Sequence, residues 1–280
     1  MKIGVFKNVF VDGKFIPVGE QWNVNQKYYE LLRERLKIKK VVGKNFVRLG
    51  KPNDGGYVMV DNFNASGGGI AYSFGIKDDV SWDWDMVSRG YDIFMYDPTI
   101  AALPKNHERF HFFKEGILGF EIKEQSMNTL ENFIRLNGHA ANSNMILKMD
   151  VEGAEWSFLS TVASETLNQF DQMVFEFHDM TAPKDQSVMN ATLACIRKIN
   201  RTHSLVHLHA NNYGSFLILE DKILVPNVLE LTYVKTSNYE LVDDENIFLP
   251  LPIDQKNNKD AQEIPLGRWN KKFNNVVKIK

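Results

Sequence analysis

The chain has 280 residues, 44% hydrophobic and 12% aromatic, enough for one large domain with a sizeable core, or for such a domain with a terminal extension. Its 33 basic and 35 acidic side chains leave a formal net charge of −2, which offers no basic footprint for a nucleic-acid backbone. One cysteine, Cys195, excludes an internal disulfide and fits a reducing compartment; its apolar helical setting reads as a packed core thiol rather than a nucleophile.

At the amino terminus, Asp12 and Lys14 come too early for the apolar region of a signal peptide. No run approaches the ~20 apolar residues needed to span a bilayer. The expectation is a soluble, cytoplasmic protein with neither a membrane nor a nucleic acid as partner. The first ~20 residues read as short strand and turn pieces around Gly13 and Pro17. Tyr28, Leu31, Leu32 and Leu36 at helical spacing predict a helix over Asn25 to Lys37. Two short apolar runs around Asp54-Gly55-Gly56 predict a hairpin, and Ser66-Gly67-Gly68-Gly69 a joint before the main sheet.

Strands and helices then alternate. Strands are predicted at 70–76, 92–97, 109–114, 146–150 and 172–178, with helices at 80–89, 129–136, 154–163 and 189–200. Three further strands, 205–209, 215–219 and 228–234, follow too closely for full helices between all of them. Such an order predicts an α/β fold, a doubly wound, mostly parallel sheet with antiparallel closure. The domain reading is an N-terminal helix and hairpin cap over 1–66, a Rossmann-like core over 67–235 and a C-terminal extension over 236–280 packed on that core.

Chemistry concentrates in MILKMDVEGAEW, residues 145–156, where a buried run ends in Asp150, Glu152 and Glu155 around Gly153. In a parallel sheet, ligands bind outside the carboxyl ends of the strands. In the first strand-to-helix unit, Gly75 falls at the turn and Asp97 ends the next strand 22 residues later. That spacing suits an adenosine ligand, with backbone approach at the glycine and a carboxylate accepting from both ribose hydroxyls. Only one glycine of a G-x-G-x-x-G pattern is present, which disfavours a pyrophosphate and favours a nucleoside without one, such as S-adenosylmethionine. Read alone, Gly75 and Asp97 also fit ordinary turn residues.

The segments AYSFGIKDDVSWD, FMYDPT, ILKMDVEGAEWSFL, VFEFHDM, HLHANNYG and VLELTYVK resemble the FkbM-type branch of S-adenosylmethionine-dependent methyltransferases, over roughly residues 43–235. The resemblance implies the class I methyltransferase fold, a seven-stranded sheet whose last strand is antiparallel. It also implies that Phe74, Gly75 and Ile76 approach the cofactor, with Asp79 and Ser81 at the helix start, Asp97 on the ribose and Asp150 near the methionine end. Trp82 or Phe120 could meet the adenine, or simply belong to the core.

On the acceptor side, Glu176 and His178 are two apart on one strand and share a face. His178 is the candidate general base, with Asp150 and Glu176 as its catalytic neighbours; a histidine capping the strand end is the plainer alternative. His209 leads into Asn211-Asn212-Tyr213, a polar group suited to a hydroxyl-rich acceptor, whereas His207 reads as structural. Glu152, His209, Asn211, Asn212 and Tyr57 are the expected acceptor contacts, Tyr57 through a hairpin closing over the site. Asp150, Glu152, Glu176, His178 and His209 lack a tight metal-ligand spacing, so no metal is assigned; Asp150, Glu176 and His178 would be the ligands if one binds. Glu155 is expected to cap or solvate the following helix.

The leading reading is an S-adenosylmethionine-dependent O-methyltransferase acting on a hydroxyl of a small polar metabolite: a sugar, a sugar nucleotide or a capsular polysaccharide precursor. Alternatives are methylation of a phosphorus-containing or nucleotide-linked capsule component, a nucleotide- or NAD-dependent sugar-modifying enzyme, and a non-catalytic binding module. Whether the chain is a homodimer stays open.

Overall fold

The computed structural model describes residues 8–11, 14–17, 26–63, 68–122, 126–181, 185–218 and 224–271. Its centre is a seven-stranded sheet. The strands in chain order are β1 (Gly69–Phe74), β2 (Tyr91–Tyr96), β3 (Phe110–Phe113), β4 (Met145–Met149), β5 (Phe170–Phe177), β6 (His203–Ala210) and β7 (Leu229–Lys235). Across the sheet they lie in the order β6-β7-β5-β4-β1-β2-β3. β1 to β5 pair in parallel, and β7 runs antiparallel to both β5 and β6. The expected doubly wound, mostly parallel, seven-stranded architecture is the observed one.

Parallel strands covered on both faces read as continuous apolar runs, and every residue of β4 and β5 is buried. Alternate side chains go to opposite faces. Tyr72, Phe74, Leu147, Met149 and Phe175 pack under α1 (Gln26–Arg35), α3 (Leu130–Leu136), α4 (Glu155–Thr161), α5 (Ser164–Leu167) and α6 (Gln186–Ile199). Ala71, Ile93, Ile146 and Val174 pack under α2 (Ser81–Val87) and the hairpin of Phe46–Leu49 with Tyr57–Val60. α6 starts at Asp185, whose carboxylate accepts from the Ser187 and Val188 amides and satisfies donors a helix start leaves unpaired.

Two expectations shift. The predicted helix over 154–163 stops at Thr161, because Val162 takes an extended ψ of 136°, and resumes as α5. The strand expected at 215–219 does not join the sheet: Phe216–Ile218 pairs instead with Leu224–Pro226 in a side hairpin between β6 and β7. Ser66 and Gly67 of the expected joint lie outside the described residues, as do Asn25, Gly13 and Leu219.

The hairpin and the C-terminal segment meet where the Asn53 side chain donates to the Lys256 carbonyl at 2.8 Å. Gln172 on β5 bonds both the amide and the carbonyl of Val60, at 3.0 and 2.9 Å, and so fixes the hairpin to the sheet face. Leu241–Asp243 pairs with Lys39–Val41, and Asp254 accepts from the buried His207 at 2.7 Å. Among the described residues no helix is long and apolar enough to cross a membrane.

Candidate active site

The carboxyl ends of β1 and β4 touch at Gly75. This residue has φ +79°, and a Cβ on it would lie 1.6 Å from the Asp150 carbonyl oxygen. The amide of Asp150 donates to the Phe74 carbonyl at 3.1 Å, and Lys148 reaches from β4 to the Gly75 carbonyl at 3.0 Å. A left-handed backbone with no side chain is therefore required here on two counts.

Asp97 closes the turn from the other side. One of its oxygens accepts from the Ile76 and Lys77 amides, both at 2.8 Å, and the other from the Thr99 amide and hydroxyl at 2.8 and 2.6 Å. Burial works to raise its pKa, but the hydrogen bonds from Thr99, Lys77 and Ile76 outweigh that and hold the carboxyl below its ordinary value. A carboxylate has about four acceptor positions, and the chain itself uses all four here. In this structure Asp97 shapes the turn; a ribose hydroxyl would have to displace one of these donors.

A second turn follows β4. Glu152 and Gly153 both take positive φ, 53° and 103°. Glu155, fully buried at the start of α4, accepts from Val151 N at 2.9 Å and Gly153 N at 2.8 Å. The same carboxylate meets Nδ1 of His178 at 3.1 Å. Far from solvating a helix start, Glu155 joins the β4 turn to the end of β5. That contact leaves Nε2 of His178 facing Glu152 at 3.5 Å, Glu176 at 3.8 Å and Asp150 at 3.9 Å. Burial would lower the His178 pKa, but the Glu155 hydrogen bond and the charges of Glu155, Asp150 and Glu152 override it and raise the value.

Tyr57, 2% exposed at the hairpin end, donates to Asp150 at 2.9 Å and lies 3.5 Å from Glu176. Burial first, then the charges of Asp150 and Glu176, push its phenol well above the ordinary value, so it remains a donor. Glu176 accepts the Asn211 side-chain amide at 2.6 Å. Burial, followed by the charges of Asp150 and Glu230, raises the Glu176 carboxyl well above its usual range. Glu230 stands directly across from Glu176 in the β5–β7 register and directly across from His209 in the β6–β7 register, so the three form a row.

Tyr57, Asp150, Glu176 and His178 line a cavity of about 920 Å³ bounded also by Lys51, Lys77, Ile117 and Tyr213. The size suits a drug-sized ligand or a cofactor with a small substrate. Phe74, Gly75, Ile76, Asp79, Asp97, Tyr57, Asp150, Glu152, Glu176, His178 and Asn211 all border it.

Three expected contacts are placed elsewhere. Ser81 accepts the Lys51 amide at 2.7 Å and donates to Asp79, which also pairs with Lys51 at 3.2 Å, so this helix start anchors the hairpin turn. His209, 2% exposed, is enclosed between Glu230 at 3.0 Å and Glu263 at 3.3 Å. Burial would lower its pKa, but those two acids lift it to about 10. Asn212 donates to the carbonyls of Asn258 and Gln262 and ties down the C-terminal segment. Of the two aromatics considered for an adenine contact, Trp82 borders the cavity from within the core and Phe120 is 55% exposed away from it.

Lys148 borders the cavity, and Glu155 and Glu230 support it from behind, beyond the residues expected from sequence. A lysine inside an otherwise apolar strand, MILKM, was the visible signal for the first. The other two depend on contacts across chain separations that periodicity does not report.

A family profile described as Methyltransferase FkbM domain matches residues 71–212, just over half of the chain, from β1 to the turn after β6. No curated protein matches the sequence. A solved Streptococcus thermophilus chain described as a putative hemolysin shares 8% identity at a TM-score of 0.35, over 65% of this chain and 71% of that one, a likeness too low to carry an argument. The acid-rich ends of β4 and β5 fall inside the matched span, and the chain belongs to the FkbM methyltransferase domain family and is a methyltransferase.

Proposed function

We propose that the chain is an S-adenosylmethionine-dependent O-methyltransferase acting on a hydroxyl of a small polar metabolite of the sugar, sugar-nucleotide or capsule-precursor type. One observation carries the reading: Tyr57, Asp150, Glu176 and His178 converge on one wall of a cavity whose other wall is the Gly75 turn. Asp79, Asp97, Asp150, Glu152 and Glu176 outnumber Lys51, Lys77 and Lys148 along the lining. An acidic lining suits a cationic sulfonium and an ammonium group and opposes a pyrophosphate, which favours this cofactor over a dinucleotide.

When bound, the cofactor supplies a methyl group already activated on a sulfonium, so aligning the acceptor oxygen provides much of the acceleration. The Gly75–Lys77 turn and Asp150 would hold it, with Ile117 and Leu118 as apolar wall. His178, fixed through Nδ1 by Glu155, presents Nε2 to the cavity as the group to take the acceptor proton. Asn211 and Tyr213, on the turn after β6, border the cavity and would meet acceptor hydroxyls. The buried, unpaired thiol of Cys195 fits a reducing, cytoplasmic setting.

Calorimetry with S-adenosylhomocysteine and with NAD tests the cofactor. Binding of the first and not the second is expected; binding of NAD alone refutes the reading. Turnover of a sugar-nucleotide panel by His178→Ala at least tenfold below wild type is expected if His178 takes the proton, and undiminished turnover removes it from the mechanism.

A further inference from the structure

We infer that Asp150, Glu176 and His178 form a binding site for one divalent transition-metal ion of the Mn²⁺, Fe²⁺ or Zn²⁺ type, open to the cavity. One donor atom from each lies within 4.8 Å of the other two. Nε2 of His178 is 3.9 Å from Oδ1 of Asp150 and 3.8 Å from Oε1 of Glu176. Donors at ~2.1 Å from a shared ion are about 3.4 Å apart in tetrahedral geometry, so the two histidine–carboxylate pairs contract by about 0.5 Å and the carboxylate pair by no more than about 1.4 Å to complete the set.

The orientation of each donor points the same way. Histidine ligands almost always give their other ring N–H to a carboxylate or carbonyl, which fixes the tautomer. Here Nδ1 of His178 meets Oε1 of Glu155 at 3.1 Å, and Glu155 is itself fully buried and locked by two backbone amides. This leaves the Nε2 lone pair directed at three carboxylates, an arrangement that a shared cation relieves. Asp150 is steered by Tyr57 on Oδ2, which frees Oδ1 for the common point, and Glu176 is steered by the Asn211 amide. All three steering groups come from outside the triad: the hairpin, the turn after β6 and the first residue of α4.

The donor chemistry selects the ion. An imidazole with two carboxylates suits borderline ions, whereas Mg²⁺ and Ca²⁺ prefer oxygen alone. Glu152, 3.5 Å from Nε2 and exposed at its tip, is the nearest further oxygen. Binding follows from the donor set alone. A role in positioning the acceptor hydroxyl on the ion rests also on the methyl-transfer reading. With the ion bound Nε2 is coordinated, so the base role proposed for His178 belongs to the metal-free chain alone.

The test uses the full chain freed of metal with a chelator, titrated with Mn²⁺ without cofactor or acceptor. One Mn²⁺ per chain is expected, bound at least tenfold more weakly by His178→Ala and by Asp150→Asn, with no such loss for Mg²⁺ competition at equal concentration. Because His178→Ala could also disturb the fold, electron spin-echo modulation on the wild-type Mn²⁺ complex reads the ligand directly: a coupled imidazole nitrogen is expected. Absence of stoichiometric Mn²⁺, or a bound ion with no nitrogen coupling, overturns the site. Neither result touches methyl transfer, which fails separately if S-adenosylhomocysteine does not bind.

Discussion

Replacing Glu155 by Gln tests whether this buried carboxylate organises the site. Its two oxygens take three donors: Val151 N at 2.9 Å and His178 Nδ1 at 3.1 Å on one, Gly153 N at 2.8 Å on the other. A glutamine can keep one oxygen only. With its carbonyl toward Val151 and His178, its NH₂ faces the Gly153 amide donor to donor; turned around, it loses two partners. In either pose a charge-assisted hydrogen bond disappears and at least one buried amide loses its acceptor, for a cost of about 2–4 kcal/mol. Glu155→Ala removes all three acceptances and is expected to cost about 4–6 kcal/mol, near the upper limit for single substitutions. Urea unfolding with an unchanged m-value measures the loss. Glu155→Ala also removes the hydrogen bond and charge that raise the His178 pKa against burial, and Glu155→Gln removes the charge, so the His178 ring titration followed by NMR moves down in both. Stability within ~0.5 kcal/mol of wild type, together with an unmoved His178 titration, refutes the argument.

Gly75→Ala forces a left-handed φ on a residue with a Cβ and drives that Cβ into the Asp150 carbonyl, separating the ends of β1 and β4. A loss of about 3–5 kcal/mol in urea unfolding and loss of S-adenosylhomocysteine binding in calorimetry are expected; a variant as stable as wild type contradicts the close approach. His203, 1% exposed, has its pKa lowered to about 4 chiefly by burial. Its folded value lies below the unfolded one, so its contribution of about 3 kcal/mol is complete above pH 6.5 and lost as pH falls toward 4. Unfolding of wild type and His203→Gln at pH 7.5 and 4.5 should show wild type losing roughly 2 kcal/mol more across that interval, and equal losses count against a buried neutral imidazole.

Much of the fold was legible because it rests on local patterns. MILKM and FDQMVFEF are runs that a sheet covered on both faces buries, whereas α6 begins at Gln186, ahead of the predicted start at Met189. The side hairpin at Phe216–Ile218 was not legible as such, because a short apolar run carries no record of which strand it will pair with. The same limit applied to His209 and Asn212. Both are polar residues near a strand end, and only the tertiary structure shows the C-terminal segment reaching back through Glu263, Asn258 and Gln262 to cover them.

The sequence by itself determined the alternation of strands and helices, the glycine turn after β1 and the acids that end β4 and β5, since each is written in neighbouring residues. Tertiary structure alone decided what those acids do. Asp97 gives its acceptor positions to the turns after β1 and β2, Tyr57 arrives from a hairpin 93 residues before Asp150, and Glu155 turns inward to hold His178. A carboxylate's role depends on which donors and charges surround it once water is excluded, and those neighbours come from distant parts of the chain.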